Sequence, residues 1–309
     1  MDTNCPYCGS KSHRAKKVKN GKVQRVCLNP KCARYFTTKD ELITADTRKK
    51  LPKILLLDIE TAPLKAFVWQ TQVYNGNVSA DKVISEWFIL TWAAKWLFSS
   101  KIESDGLTSK EAKNEDDGRI VRSLWELLNE ADIVVAHNGV KFDVPNINTR
   151  FLIHDLPPCK PYQQIDTLLV ARKQFGFTHN NLNALAKLFG LPEKLDTNFE
   201  LWKECLDGDA KSLKYMQEYN RRDVEVLEEV YLKMRSWVKG HPNLGLYVES
   251  NDSACTICGS HKLYVHGHYF TNAGKFKVYA CKNCGALSRS RVNEYPKDKK
   301  GNLLISMYR

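Results

Sequence analysis

The chain has 309 residues, a formal net charge of +12 and ten cysteines, which is long enough for one sizeable core with small modules attached. Its first residues lack the apolar stretch of a signal peptide, and its longest apolar run, residues 87–98, contains Lys95 and is about half a membrane span. Secreted and membrane-spanning classes are therefore set aside, and a cytoplasmic protein is expected, where thiols stay reduced and paired cysteines bind metal.

The charge is unevenly spread. Residues 1–50 carry +9, residues 241–309 carry +6, and the stretch between them carries −3. Eight of the ten cysteines fall in four close pairs at the same two basic ends. Basic ends on a mildly acidic middle point to modules that hold a polyanion while the middle acts on it.

At the N-terminus, Cys5-x-x-Cys8 is followed after 18 residues by Cys27-x-x-x-x-Cys32. Four thiolates in two clips make a closed tetrahedral zinc site. The second clip departs from the common spacing by having four intervening residues. Lys16, Lys17 and Arg25 lie among eight basic or histidine residues between the clips, a cationic surface suited to phosphates. The segment resembles the small zinc ribbons at the start of some insertion-sequence transposases, and it can be read as a structural knob or as a nucleic-acid contact.

A charged stretch with Pro52, residues 46–53, reads as a linker. Ile54-Leu55-Leu56-Leu57 then reads as a central strand buried on both faces. Asp58 and Glu60 follow at i and i+2, so a strand aims both carboxylates at one face, about 7 Å apart. Residues 67–69 and 87–96 are expected as further strands of the same sheet, and residues 104–118 as a polar loop or the approach to a helix. An amphipathic helix is expected over 120–130, and a second buried strand over 132–137. Asn138, Gly139 and Phe142 lead from it to Asp143, at the start of a helix with Pro145 in its first turn. Asp143 can be a plain N-cap or a functional acid. A short strand over 165–169 and a helix over 181–189 come next.

Residues 209–237 form one long amphipathic helix. Tyr219 and Asp223 are i and i+4 on the side that carries Leu213, Met216, Val224, Leu227, Val230 and Tyr231, so both should face the sheet. An acid aimed there needs a cation, either Arg222 or a metal shared with Asp58. Finally, Cys255-x-x-Cys258 and Cys281-x-x-Cys284 are separated by 22 residues that read as two strands, a second zinc ribbon. Cys159 and Cys205 read as ordinary thiols. The expected domains are residues 1–45, 46–240 and 241–309.

Taken in order, Asp58-x-Glu60, Asn138-x-x-x-Phe142-Asp143 and Tyr219-x-x-x-Asp223 resemble the three motifs of DEDD-type 3′–5′ exonucleases with a ribonuclease H-like fold, in the branch with Tyr in the third motif. With Asp166-Thr167-Leu168 and residues 182–186, residues 53–238 look most like the proofreading domain of family-B DNA polymerases. The branch with His would need it at position 218, which is Glu218. The fold class is thus an α/β mixed sheet with flanking helices plus two zinc ribbons.

The resemblance implies two Mg²⁺ or Mn²⁺ ions held by Asp58, Glu60, Asp143 and Asp223, beside two structural Zn²⁺ on the cysteines. Asp58, Glu60 and Asp223 would hold the ion that activates water, Asp58 would bridge to the second, and Asp143 would reach that ion through water. Tyr219 would align the nucleophile, since a free phenol titrates near about 10 and is a poor base. Asn138 and Phe142 would touch the terminal nucleotide. The expected function is a two-metal 3′–5′ exonuclease on single-stranded DNA that releases 5′-mononucleotides. The alternatives are an exoribonuclease with the same site and a non-cutting, transposase-like zinc-ribbon protein. Expected partners are nucleic acid and a replication or repair protein met through the ribbons, with no membrane, in the cytoplasm of a bacterial or phage-infected cell.

Overall fold

A computed structural model describes residues 51–69, 78–191 and 197–307, together with Cys5, Tyr7, Cys8, Ser10, Asn29, Cys32 and three strands near the N-terminus. The chain divides into two compact units, Lys53–Lys233 and Met1–Pro52 with Met234–Arg309. The side chains of Lys16, Lys17 and Arg25 and most of the expected linker lie outside the described residues.

Near the N-terminus, β1 (Ser12–Lys17), β2 (Val23–Cys27) and β3 (Tyr35–Thr37) pair as an antiparallel sheet. The middle unit is built on β4 (Ile54–Thr61), followed by a two-residue strand β5 (Lys65–Ala66) that pairs with β6 (Val83–Ser85). Then come β7 (Ile89–Trp96), β8 (Glu103–Gly106), α1 (Ser109–Lys113) and α2 (Gly118–Leu128). They are followed by β9 (Ile133–Ala136), α3 (Asp143–Ile153), β10 (Gln163–Asp166), α4 (Thr167–Gln174), α5 (Leu182–Leu188), α6 (Phe199–Leu206) and α7 (Ala210–Met234).

The main sheet runs β10-β9-β4-β7-β8. β10, β9 and β4 are parallel, while β7 and β8 are antiparallel, so the sheet is mixed as expected. Its centre falls where the sequence is most continuously apolar: Leu55, Leu56, Leu57, Ile133 and Val135 have no exposed surface. One face packs under the apolar stripe of α2, Ile120, Val121, Leu124, Leu127 and Leu128, and under Ile147 and Phe151 of α3. α7 lies on the face that carries Asp58, since Asn220 reaches Asp58 from it. Along the same strand pair Lys95 of β7, level with Leu56, meets Glu228 of α7 in a largely buried ion pair.

Several expectations need correction. Phe67, Val68 and Trp69 are not in a strand; all three are exposed, Trp69 by 95%. Aromatic strand preference comes from packing on neighbouring strands, and these side chains are exposed instead. The polar stretch 104–118 contains the edge strand β8 and the helix α1, whose Thr108 and Glu111 form a reciprocal capping box. The strand expected over 165–169 ends at Asp166. Its carboxylate accepts from the Leu168 and Leu169 N–H groups and opens α4 instead. α6 was not expected at all.

In the terminal unit, β11 (Leu263–Thr271), β12 (Gly274–Cys281) and β13 (Leu287–Asn293) form a second antiparallel sheet, followed by α8 (Lys297–Gly301). The third strand of this sheet was not foreseen.

Candidate active site and cysteine centres

The burial of β4 switches register where the acids begin: Asp58 and Glu60 are half-buried, while Ile59 between them is 2% exposed on the opposite side. The two carboxylates therefore share a face, as the i, i+2 spacing requires. α7 closes on that face. One carboxylate oxygen each from Asp58, Glu60 and Asp223 lies within 4.8 Å of the others. Asp223 is buried, and Tyr219, one turn earlier on the helix, packs half-buried against the core.

Asp143 arrives from the other side. It is the first residue of α3, the N-cap being Phe142, and its Oδ1 accepts the Ile59 N–H at 3.2 Å. Asp143 is thus not the N-cap of α3, and its carboxylate turns to the β4 backbone instead. Burial pushes the Asp143 carboxyl up to about 7, the Ile59 N–H pulls it back, and the Asp166 charge adds to the rise. Arg222, the alternative counter-charge for Asp223, pairs with Glu225 one turn on.

The turn that delivers Asp143 is tightly held. Asn138, not Gly139, takes the left-handed conformation, with φ 75°. Gly139 serves close approach, because a Cβ there would stand 2.5 Å from the Ala136 Cβ. Asp166 accepts the Asn138 N–H at 3.0 Å and the Val140 N–H at 3.2 Å, besides the two at the start of α4. Phe142 is 39% exposed at the head of α3. His137 Nδ1 meets Thr167 Oγ1 at 2.9 Å.

Two residues at the site are given no role by the sequence. Asn220 is fully buried and its Nδ2 donates to Asp58 Oδ2 at 2.6 Å. It sits inside the Tyr219–Asp223 motif, where its type was the only signal. Asp166 bridges the β9 turn to α4, a job signalled only by an Asp between a strand and a helix.

Three carboxylates at such range repel one another and call for a cation between them. Hard oxygen donors from an incomplete protein set suit Mg²⁺ or Mn²⁺. The cysteines gather into two further groups, Cys5, Cys8, Cys27, Cys32 and Cys255, Cys258, Cys281, Cys284. Their sulfurs stand 3.4 to 3.7 Å apart in the pairs Cys5–Cys32, Cys8–Cys27, Cys255–Cys284 and Cys258–Cys281. A tetrahedron of thiolates with Zn–S of about 2.3 Å has edges of about 3.8 Å.

Each clip also turns the same way. The N–H two residues after Cys5, Cys27, Cys255 and Cys281 donates to that sulfur at 3.4 Å. Both groups fit zinc ribbons. By contrast, burial pushes the Cys159 thiol up to about 11 and the Cys205 thiol up to about 12.

Residues 96–235 match the family model described as the RNase_H superfamily. The ribonuclease H-like domain so matched contains Asp143, Tyr219 and Asp223. β4, with Asp58 and Glu60, precedes the matched segment but pairs with β9 inside it. Among solved structures, the chain is similar to the family B DNA polymerase from the hyperthermophilic archaeon Pyrobaculum calidifontis, at 17% identity and a TM-score of 0.43. That likeness covers 64% of this chain and 27% of the polymerase chain. No curated protein matches the sequence. Among the described residues, no helix is long and apolar enough to cross a membrane.

Proposed function

We propose that the ribonuclease H-like domain is a metal-dependent 3′–5′ exonuclease that hydrolyses single-stranded DNA one nucleotide at a time. The observation that carries this reading is the meeting of Asp58, Glu60 and Asp223 within 4.8 Å, with the buried Asp143 hydrogen-bonded to the backbone between the first two. When bound, a pair of divalent ions would supply an activated water and neutralise charge on the leaving 3′-oxygen. Asp58, Glu60 and Asp223 would hold one ion, with Asp58 shared to a second that Asp143 faces.

Asn220 fixes one Asp58 oxygen through its amide. Tyr219 stands one helical turn before Asp223 and would orient the attacking water by its hydroxyl. Asn138 and Phe142, at the tip of the turn that Asp166 braces, would meet the terminal nucleotide. The choice of DNA rests on the resemblance of the three motifs to the proofreading domain of family-B DNA polymerases. The four-cysteine groups would each hold one structural zinc.

The test is a 5′-labelled strand, in DNA and in RNA form, incubated with Mg²⁺ or Mn²⁺. A ladder shortening from the 3′ end with release of 5′-mononucleotides from DNA is expected. Faster release from RNA would transfer the reading to an exoribonuclease. Equal degradation of a strand blocked at its 3′ end would contradict the polarity.

A further inference from the structure

The C-terminal sheet carries an exposed surface that neither its cysteine centre nor its core uses. That module's core is Cys255, Ile257, Cys281 and Ala286 with Leu263 against them, and Tyr264, Tyr269 and Phe270 on its strands are exposed outside it. Strand register sets Tyr269 opposite Phe276 and Val278 opposite Arg289. Phe276 and Val278 are two residues apart on β12, so Tyr269, Phe276 and Arg289 share one face. There the Arg289 guanidinium lies 4.4 Å from the Phe276 ring centroid and 5.5 Å from that of Tyr269.

Further along the same face Tyr264 stands opposite Ala280, and Lys282 Nζ lies 5.8 Å from the Tyr264 ring. Tyr264 is 46% exposed and Tyr269 53%, and Arg289 is exposed between its rings. The three strands contain Lys275, Lys277, Arg289 and Arg291 and no Asp or Glu. Just past β13, Glu294 is taken up by His268 at 2.8 Å and Lys277 at 3.5 Å.

We infer that this face binds single-stranded nucleic acid, with unpaired bases stacking on Tyr264, Tyr269 and the Arg289 guanidinium, and phosphates meeting Arg289 and Lys282. Exposed rings and a guanidinium plane accept any base, but only where the base is not already stacked within a duplex. A cation at each ring, with no carboxylate on the strands, matches a phosphate backbone. Protein interfaces are instead depleted of Lys, which this face sets beside Tyr264. The inference rests on the nuclease reading only for the kind of strand that the domain would work on.

Binding is measured by fluorescence anisotropy with the full-length, zinc-loaded protein in Ca²⁺. The probes are a fluorescein-labelled oligodeoxythymidine with a phosphorothioate 3′ end and a duplex of the same length. Tyr264→Ala with Tyr269→Ala should weaken single-strand binding about tenfold or more, with little change for duplex. Arg289→Ala should weaken it and flatten the salt dependence by about 0.7 in log–log slope, whereas Lys299→Ala, the same charge lost from α8, should not change the stacking contribution. Zinc content and circular dichroism confirm that each variant is folded.

Unchanged single-strand affinity in the tyrosine variant overturns the inference, as does an equal loss for single strand and duplex. Hydrolysis of a trinucleotide, which does not need the ribbon, should run at the wild-type rate in every variant. If no variant and no wild type cleaves it, the nuclease reading fails while the binding comparison still decides this one.

Discussion

Asn220 Nδ2 lies 2.6 Å from Asp58 Oδ2, joining the long helix α7 to the central strand β4 at the point where the carboxylates converge. A neutral amide that donates to one oxygen of a metal-binding carboxylate fixes its rotamer without competing for the ion.

Asn220→Ala should therefore weaken Mn²⁺ binding and slow cleavage by about 10- to 100-fold, the usual cost of losing such a partner. Asn220→Asp adds a fourth carboxylate to the group and should be at least as damaging at neutral pH. Titration of activity against metal concentration separates the two effects; a wild-type metal dependence in both variants would remove Asn220 from the site.

The buried Asp143 gives a pH signature in metal-free protein. Its folded carboxyl titrates at about 7, above the usual carboxylate range. The folded state therefore binds this proton more tightly than the unfolded one, and its stabilising effect is lost as pH rises through about 7. Asp143→Asn, which keeps an oxygen for the Ile59 N–H, should lose this pH dependence. Thermal unfolding of both proteins from pH 6 to 8 (about one unit either side of the folded value) checks this, with the variant flatter than wild type.

α3 is anchored two turns below Asp143 by a buried charge cluster. Arg150 donates to Asp117 through Nε at 2.7 Å and Nη2 at 2.5 Å; His154 Nε2 meets the same carboxylate at 2.6 Å, and the Ile89 N–H at 2.8 Å. Asp117 has no exposed surface. Arg150→Met would leave that acid without its main counter-charge and should cost about 3–5 kcal/mol. Urea unfolding followed by the tryptophans of β7 reads the loss; a change below about 1 kcal/mol would mean that His154 and Ile89 suffice.

The cysteine groups predict two zinc ions per chain. Cys258→Ser and Cys8→Ser should each lower the zinc content by one, and strong chelation should unfold the terminal modules while the middle stays folded, since small metal sites draw their folding energy from the ion. Metal analysis with circular dichroism distinguishes these outcomes from a chain with one zinc or none.

Much of this arrangement was legible in the sequence because it depends on periodicity. β4 and β9 are continuous apolar runs, α2 and α7 carry helical stripes, and the acids hold their i, i+2 and i, i+4 spacings. What could not be read depends on partners distant in sequence. Asn220 matters only because Asp58, 162 positions away, lies beneath it. Asp166 ended a strand that its neighbours favoured because two backbone N–H groups after it, and two in the β9 turn, converge on its carboxylate. Phe67 and Trp69 have strand-forming types, but both side chains are exposed beyond the end of β5. β13 is polar and short of apolar alternation, and it joins its sheet through register with β12.

The most direct test is nucleotide release from a 3′-end-labelled single strand by Asp58→Ala, Asp223→Asn and Tyr219→Phe, compared with wild type in Mn²⁺. The two acid variants should fall by about a thousandfold or more, about 4 kcal/mol in the barrier. Tyr219→Phe should fall by only about ten- to a hundredfold, short of a lost general base. All three should keep the wild-type circular dichroism. Wild-type release by Asp58→Ala would contradict the assignment of the active site.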